Sequence, residues 1–289
     1  AVKHPEQGKI ADVSEDIKKI TGVKDAYVKI YPIDGYGNAG VVRELISREK
    51  IDGIMHFTDP RFWQWLYNIE HEIRQNIPIM YYNIWDDLPF PHWNENAYES
   101  CDALMAISKQ TYNINNHVCQ RKPRIEGKDL FYVPHGIDEN VFKPMEETDA
   151  NLVSFRNEFF GGGEYDFVIG FNSRNIRRKG IQDLILGYTR FMDDLSKEEQ
   201  KKCILLLHTD PVDNAGTDLP ANLDALCPYP VRFSNKKMEP ESLNLMYNCF
   251  SVCCNPSSAE GFGLSHMESM MSGTPTISTV VGGLQDQQG

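Results

Sequence analysis

"DFVIGFNSRNIRRKGIQDLILGYTRFM", Asp166 to Met192, changes its period in the middle. The opening residues are almost continuously apolar, as in a strand buried on both faces, and the run ends near Ser173. From about Lys179, Ile181, Leu184, Ile185, Tyr188 and Met192 recur at helical spacing and form one apolar stripe. A buried strand feeding an amphipathic helix through a short turn is the repeating unit of a doubly wound α/β sheet. The turn itself carries Arg174, Arg177, Arg178 and Lys179, in a chain of net charge -12. Cations at a helix N-terminus oppose the dipole, at a cost of a few tenths to about 1 kcal/mol each. The placement makes sense where an anion is bound, and a diphosphate would satisfy the helix amides, Arg174 and Lys179 together. A solvated basic loop is the alternative these residues leave open.

The same alternation extends outward. After it come "CILLLHTD", "VRFSN", "SVCCNPSS" and "PTISTVV" as strands, with helices beginning near Gly180, Asn222, Pro240 and Gly263. Before it, "DAYVKIYPI", "IDGIMHF", "IPIMYYNI", "DALMAIS" and "DLFYVPH" read as strands. "GVVRELISREK", "PRFWQWLYNIEHEIRQN" and "KQTYNINNHVCQ" read as the helices between them. The polar stretch with Pro144 and the glycines at 161–163 reads as a connection. The expected architecture is α/β, two Rossmann-like doubly wound domains with an interdomain cleft. Their bounds are 1–138, a connection over 139–165, and 166–289.

A second corner, "SSAEGFGLSHMESMMSGTPTIS", Ser257 to Ser278, sets Glu260 before a Gly-Phe-Gly turn and Glu268 in the helix that follows. Gly261 and Gly263 let a backbone approach a ligand closely and expose amides at the helix start. Glu268 lies about five residues in, roughly 7 Å along the axis, about the separation of a diphosphate from its ribose. An ionised carboxylate only accepts hydrogen bonds, which suits a pair of ribose hydroxyls. Glu260 falls on the other side of the phosphates, where a sugar would sit. A solvated helix glutamate and a dipole-favoured first-turn acid account for the two residues equally simply when each is taken alone.

Composition narrows the classes. At 41% apolar and 24% charged the chain is that of a globular protein, and its acidic balance argues against a nucleic-acid partner. No apolar run reaches the roughly 18 residues of a membrane span, and the polar start does not resemble a signal peptide. Seven cysteines with no C-x-x-C pair predict free buried thiols, no metal site and a cytoplasmic location.

With both corners in view, the chain resembles a known family. "SRNIRRKG" is similar to the phosphate segment, and "EGFGLSHME" to the E-x7-E element, of the retaining GT-B glycosyltransferases of family 4, also called group 1. "VPHGIDENVF" resembles their domain junction and "VVGG" the start of their next loop, so the resemblance covers roughly residues 130–283. It implies hexosyltransferase-like transfer of a sugar from a nucleotide-sugar to a carbohydrate, lipid or protein acceptor, with retention, without metal or other cofactor. It implies that Arg174, Lys179 and Glu260 serve the reacting diphosphate and sugar. Phe262, Gly263 and Leu264 would contact the donor through their amides, and Glu268 the ribose. The first domain would then hold the acceptor and the second the donor. The family opens with a strand and glycine-rich turn that the first 24 residues lack, and continues past "GGLQDQQG", so a chain incomplete at both ends is expected. An epimerase or phosphorylase on the same scaffold, or a non-catalytic sugar-nucleotide-binding fragment, stays open, as does peripheral membrane contact.

The first half is less specific. "DGYGNAG", Asp34 to Gly40, matches a dinucleotide fingerprint with Asp59 farther on. A flexible turn with Asn38 capping a helix explains it more simply. Acceptor contacts are expected at strand ends, from His56 and Asp59 in "HFTDPRFW" and from Asp86, Asp87 and His92 in "NIWDDLPFPHWN". Ordinary loop chemistry explains these residues too.

Overall fold

The computed structural model describes residues 6 and 8–288. Eleven strands are present among them: β1 Ala11–Asp12, β2 Lys29–Ile30, β3 Ile54–Phe57, β4 Ile79–Asn83, β5 Ala103–Ala106, β6 Asp129–Tyr132, β7 Phe167–Asn172, β8 Cys203–His208, β9 Val231–Ser234, β10 Val252–Asn255 and β11 Thr276–Ser278. They form a five-stranded sheet in the order β11-β10-β7-β8-β9, a four-stranded sheet in the order β3-β4-β5-β6, and a β1-β2 pair. Every pairing in the five-stranded sheet is parallel, as is β3 with β4.

Side chains alternate across the five-stranded sheet as a period of two requires. Val168, Ile204, Leu206 and Cys253 face one core, with Phe142, Leu152, Met246 and Tyr247. Ile169, Phe171, Leu205, Leu207 and Val252 face the other, against Ile181, Ile185, Tyr188 and Met192 of the helix Ile181–Asp193. The stripe read from the sequence, Leu184 included, lies on this second face. A sheet covered on both sides is why β7 and β8 are nearly all apolar.

The chain divides into two compact units. One comprises Ala1–Asn83, Pro91–Met105 and Val118–Leu130; the other comprises Ile84–Phe90, Ala106–His117 and Phe131–Gly289.

Three local expectations are corrected. "DAYVKIYPI" contributes only Lys29–Ile30, paired antiparallel with Ala11–Asp12, and not a strand of the parallel sheet. Pro32 offers no backbone donor, and Tyr27 and Ile30 stay exposed, so neither ladder bonds nor burial extend the strand. "PRFWQWLYNIEHEIRQN" is not one helix but a 3₁₀ turn, Pro60–Phe62, and two short helices, Gln64–Tyr67 and Glu70–Ile73. The stretch read as a connection holds the helix Ala150–Phe160, capped by Asp149 and closed by Gly161. Asn38 caps the helix Ala39–Glu49 by accepting from the Val41 amide, so "DGYGNAG" is a capped turn. All seven cysteines are free. No helix among the described residues is long and apolar enough to cross a membrane.

Candidate functional site

In the five-stranded sheet the chain runs from β7 outward through β8 to β9, then returns to the other side of β7 as β10. That reversal places the carboxyl ends of β7 and β10 side by side, and ligands of doubly wound sheets bind there. The loops leaving the two strands are the two corners picked out in the sequence.

The loops are locked together. After β7 the chain makes one 3₁₀ turn, Arg177–Lys179, and passes through Gly180 at φ 62° into the helix Ile181–Asp193. A Cβ at Gly180 would lie 2.6 Å from the Pro256 carbonyl oxygen of the other loop, so glycine is required for both conformation and space. The Ser258 amide donates to the Arg178 carbonyl at 2.8 Å.

This path turns Lys179 and Arg178 onto Glu260. The Lys179 side chain is buried, with its ammonium donating to Glu260 Oε2. Burial pushes the Lys179 pKa down, and the Glu260 charge opposes that shift. Arg178 Nη1 lies 3.2 Å from the same oxygen and 3.8 Å from Asp86 Oδ2, and donates to the Ala259 carbonyl. Burial raises the Asp86 pKa, while the Arg178 charge pulls it down. Residues 84–90 belong to the same compact unit as both loops.

Arg174 goes elsewhere. Its guanidinium pairs with Asp213 at 2.8 and 3.2 Å and is largely exposed. The loop carrying Asp213 is pinned by Asn175, buried, whose side chain donates to the carbonyls of Asp210 at 3.1 Å and Thr217 at 2.7 Å. Arg178, and not Arg174, shares the Glu260 oxygen with Lys179.

Beyond Glu260, Phe262 is buried with its ring edge against His135, centroids 5.2 Å apart. Gly263 begins the helix Leu264–Met271, and Leu264 is exposed. The amides of Phe262, Gly263 and Leu264 have no acceptor among the described residues, as is usual for the orphan donors of a helix start. A Cβ at Gly282 would lie 1.8 Å from the Glu260 carbonyl oxygen, so the chain after β11 supports the same loop at backbone contact. Glu268 is half-buried; burial raises its pKa, opposed by a hydrogen bond from the Tyr247 hydroxyl at 2.7 Å. That hydroxyl accepts from Asn172 Nδ2 at 2.7 Å.

Asn172 and Arg174 also line an open depression of about 260 Å³ across the carboxyl ends of β7, β8 and β9. Its remaining walls include His208, Asp210, Lys236 and Lys237. The two lysines that follow "VRFSN" are the sequence signal for this wall.

His56 is 1% exposed, stacked on Tyr81 at 4.8 Å, with Nδ1 2.6 Å from the Tyr67 hydroxyl. It is a core residue of the first unit. Asp59 caps the Pro60–Phe62 turn and pairs with Arg61. His92 lies 3.3 Å from Glu95. Asp87 is exposed and accepts from the Leu88 amide at 2.8 Å. Of the five acceptor candidates, Asp86 joins the cluster of Lys179, Arg178 and Glu260.

The chain is similar to several known proteins. Residues 166–289 match the family described as "Glycosyl transferases group 1". Mannosylfructose-phosphate synthase of Agrobacterium fabrum (strain C58 / ATCC 33970) is 27% identical over 192 residues, covering 65% of this chain and 39% of that protein. Among solved structures, the N-terminal domain of trehalose-6-phosphate phosphatase from Candida albicans superposes with a TM-score of 0.67 at 14% identity, covering 85% of this chain and 59% of that one. Sucrose-phosphate synthase from Thermosynechococcus elongatus superposes with a TM-score of 0.62 at 19% identity, covering 86% and 60%. The fold is of the GT-B class, and the chain spans less than two thirds of the length of each of these relatives.

Proposed function

We propose that the chain, whose residues 166–289 match the group 1 glycosyltransferases, transfers a sugar from a nucleotide-sugar to an acceptor, with retention at the anomeric carbon. The observation that carries this reading is the junction of the two loops, where Lys179 and Arg178 converge on Glu260 beside unpaired helix-start amides.

An arriving diphosphate takes up Lys179, Arg174 and the amides of Phe262, Gly263 and Leu264. Cations and amides held in place before the reaction stabilise the charge that builds on a departing diphosphate, the task a divalent ion performs elsewhere. Glu260, still paired with Arg178, accepts from the hydroxyls of the donor sugar. Glu268 accepts from the ribose hydroxyls, and the depression beside Asn172 and Arg174 takes the nucleoside. The anomeric carbon–phosphate oxygen bond breaks as a bond to the acceptor oxygen forms on the same face. The acceptor proton passes to the departing phosphate oxygen, so no separate base is needed. Two relatives are named as sugar-phosphate synthases, which makes a phosphorylated hexose the acceptor of choice.

The test is incubation of the full chain with UDP-, ADP- and GDP-sugars, with and without a hexose phosphate. The reading expects nucleoside diphosphate released only when acceptor is present, and a product anomer matching the donor by NMR. Donor left unchanged in every combination, or altered without acceptor, would contradict it.

A further inference from the structure

Tyr247 is fully buried on the helix Pro240–Asn248, and its hydroxyl sits between two groups that fix its direction. Asn172 Nδ2, at the end of β7, donates to the hydroxyl oxygen at 2.7 Å. An amide nitrogen only donates, so the single hydroxyl proton is left for Glu268 Oε2, 2.7 Å away. The arrangement ties one carboxylate oxygen to the sheet and leaves Oε1 without a protein partner among the described residues. Asn172 also lines the depression beside Arg174, so the same amide joins the ligand-facing wall to the carboxylate on the neighbouring corner.

We propose that Tyr247, oriented by Asn172, is a positioning residue that presents Glu268 to the ribose hydroxyls of a bound nucleotide. The proposal rests on the nucleotide-sugar reading above and adds how the carboxylate is aimed. The groups that face Glu268 are the Tyr247 hydroxyl and the buried thiol of Cys253 on β10, both held well above their ordinary pKa by burial. Neither supplies a positive charge. The Tyr247 hydrogen bond is thus what opposes the burial of the Glu268 charge, and without it the carboxylate protonates at a higher pH.

The test uses the full chain and calorimetric titration with UDP, ADP and GDP, the 2′-deoxy counterpart of whichever binds tightest, and inorganic pyrophosphate. Wild type is expected to prefer the ribonucleotide over its deoxy form by about tenfold, the scale of a charge-assisted hydrogen bond. Tyr247→Phe is expected to erase that preference, leave pyrophosphate affinity unchanged, and shift the acid limb of ribonucleotide binding to higher pH. Asn172→Ala, which frees the hydroxyl without opening the core, is expected to lower the preference in part and decides the matter if Tyr247→Phe does not fold. Equal ribo-to-deoxy ratios and equal pH limbs in wild type and variants would overturn the positioning role while leaving nucleotide binding intact. A wild-type chain that binds none of the three nucleotides would overturn both.

Discussion

Lys179 and Glu260, 81 residues apart in the chain, form an ion pair between two loops, with both side chains largely shielded from solvent. A pair so placed is costly to assemble and costly to break from one side. Arg178 on the same oxygen changes the balance, because Glu260 keeps one cation when the other leaves. The pair can therefore open toward an anionic ligand without stranding its carboxylate.

The pairing of Arg174 with Asp213 makes the second cation of the reading a contested one. Asp213→Asn is expected to tighten nucleoside diphosphate binding severalfold by freeing Arg174, with little change in melting temperature, since the Arg174 side of the pair lies largely in solvent. Arg174→Ala is expected to weaken binding and cancel the gain in the double variant. Titration calorimetry at two salt concentrations checks this; unchanged affinity in Asp213→Asn would place Arg174 outside the phosphate site.

Burial disfavours the charged form of Glu268, and the Tyr247 hydrogen bond offsets part of that. Its folded pKa lies above the ordinary 4.5, so between the two values the folded state binds the extra proton. Stability therefore falls as pH rises through that window and stays lower above it. Glu268→Gln is expected to be more stable than wild type at pH 7 in urea unfolding, to lose that advantage near pH 4, and to bind nucleotide more weakly. A variant less stable than wild type at pH 7 would show the carboxylate to be structural.

Gly180 holds the two loops at contact distance. Gly180→Ala introduces left-handed strain and a clash with the Pro256 carbonyl, a loss of about 2–4 kcal/mol. Urea unfolding checks it, and nucleotide affinity should fall in the same variant because the cradle is spread.

In the first unit, burial pushes the His56 pKa down from 6.5 to about 4. The unfolded chain binds the proton first, so stability is lost as pH falls through that range, by roughly 3 kcal/mol at the low end. His56→Phe is expected to flatten the slope between pH 6.5 and 4; an equal slope would mean the ring is not kept neutral by burial.

The two βα corners were legible because their signal is local. A switch of period, a basic turn and glycines at a helix start lie within a few residues of one another, as at Asp166–Met192. Which cation meets which acid was not legible. Arg174 leaves before the 3₁₀ turn and meets Asp213, 39 residues on, whereas the turn carries Arg178 and Lys179 to Glu260. Tyr247 was hidden for the same reason, since its tie to Glu268 spans 21 residues and two helices. In the first half, "DAYVKIYPI" has the composition of a strand, but burial and a partner decide whether it becomes one. In "PRFWQWLYN", Trp63 packs against His56 and Trp65, and the segment forms a 3₁₀ turn and a short helix where its spacing suggested one long helix.

The central claim is that the joined loops cradle the diphosphate of a nucleotide-sugar, and calorimetry addresses it most directly. UDP, GDP and ADP are titrated into the full chain and into Lys179→Ala. The account predicts that at least one nucleotide binds wild type in the micromolar range and loses tenfold or more in the variant, as expected for a charge-assisted contact. No heat with any of the three in wild type, or equal affinity in the variant, would contradict it.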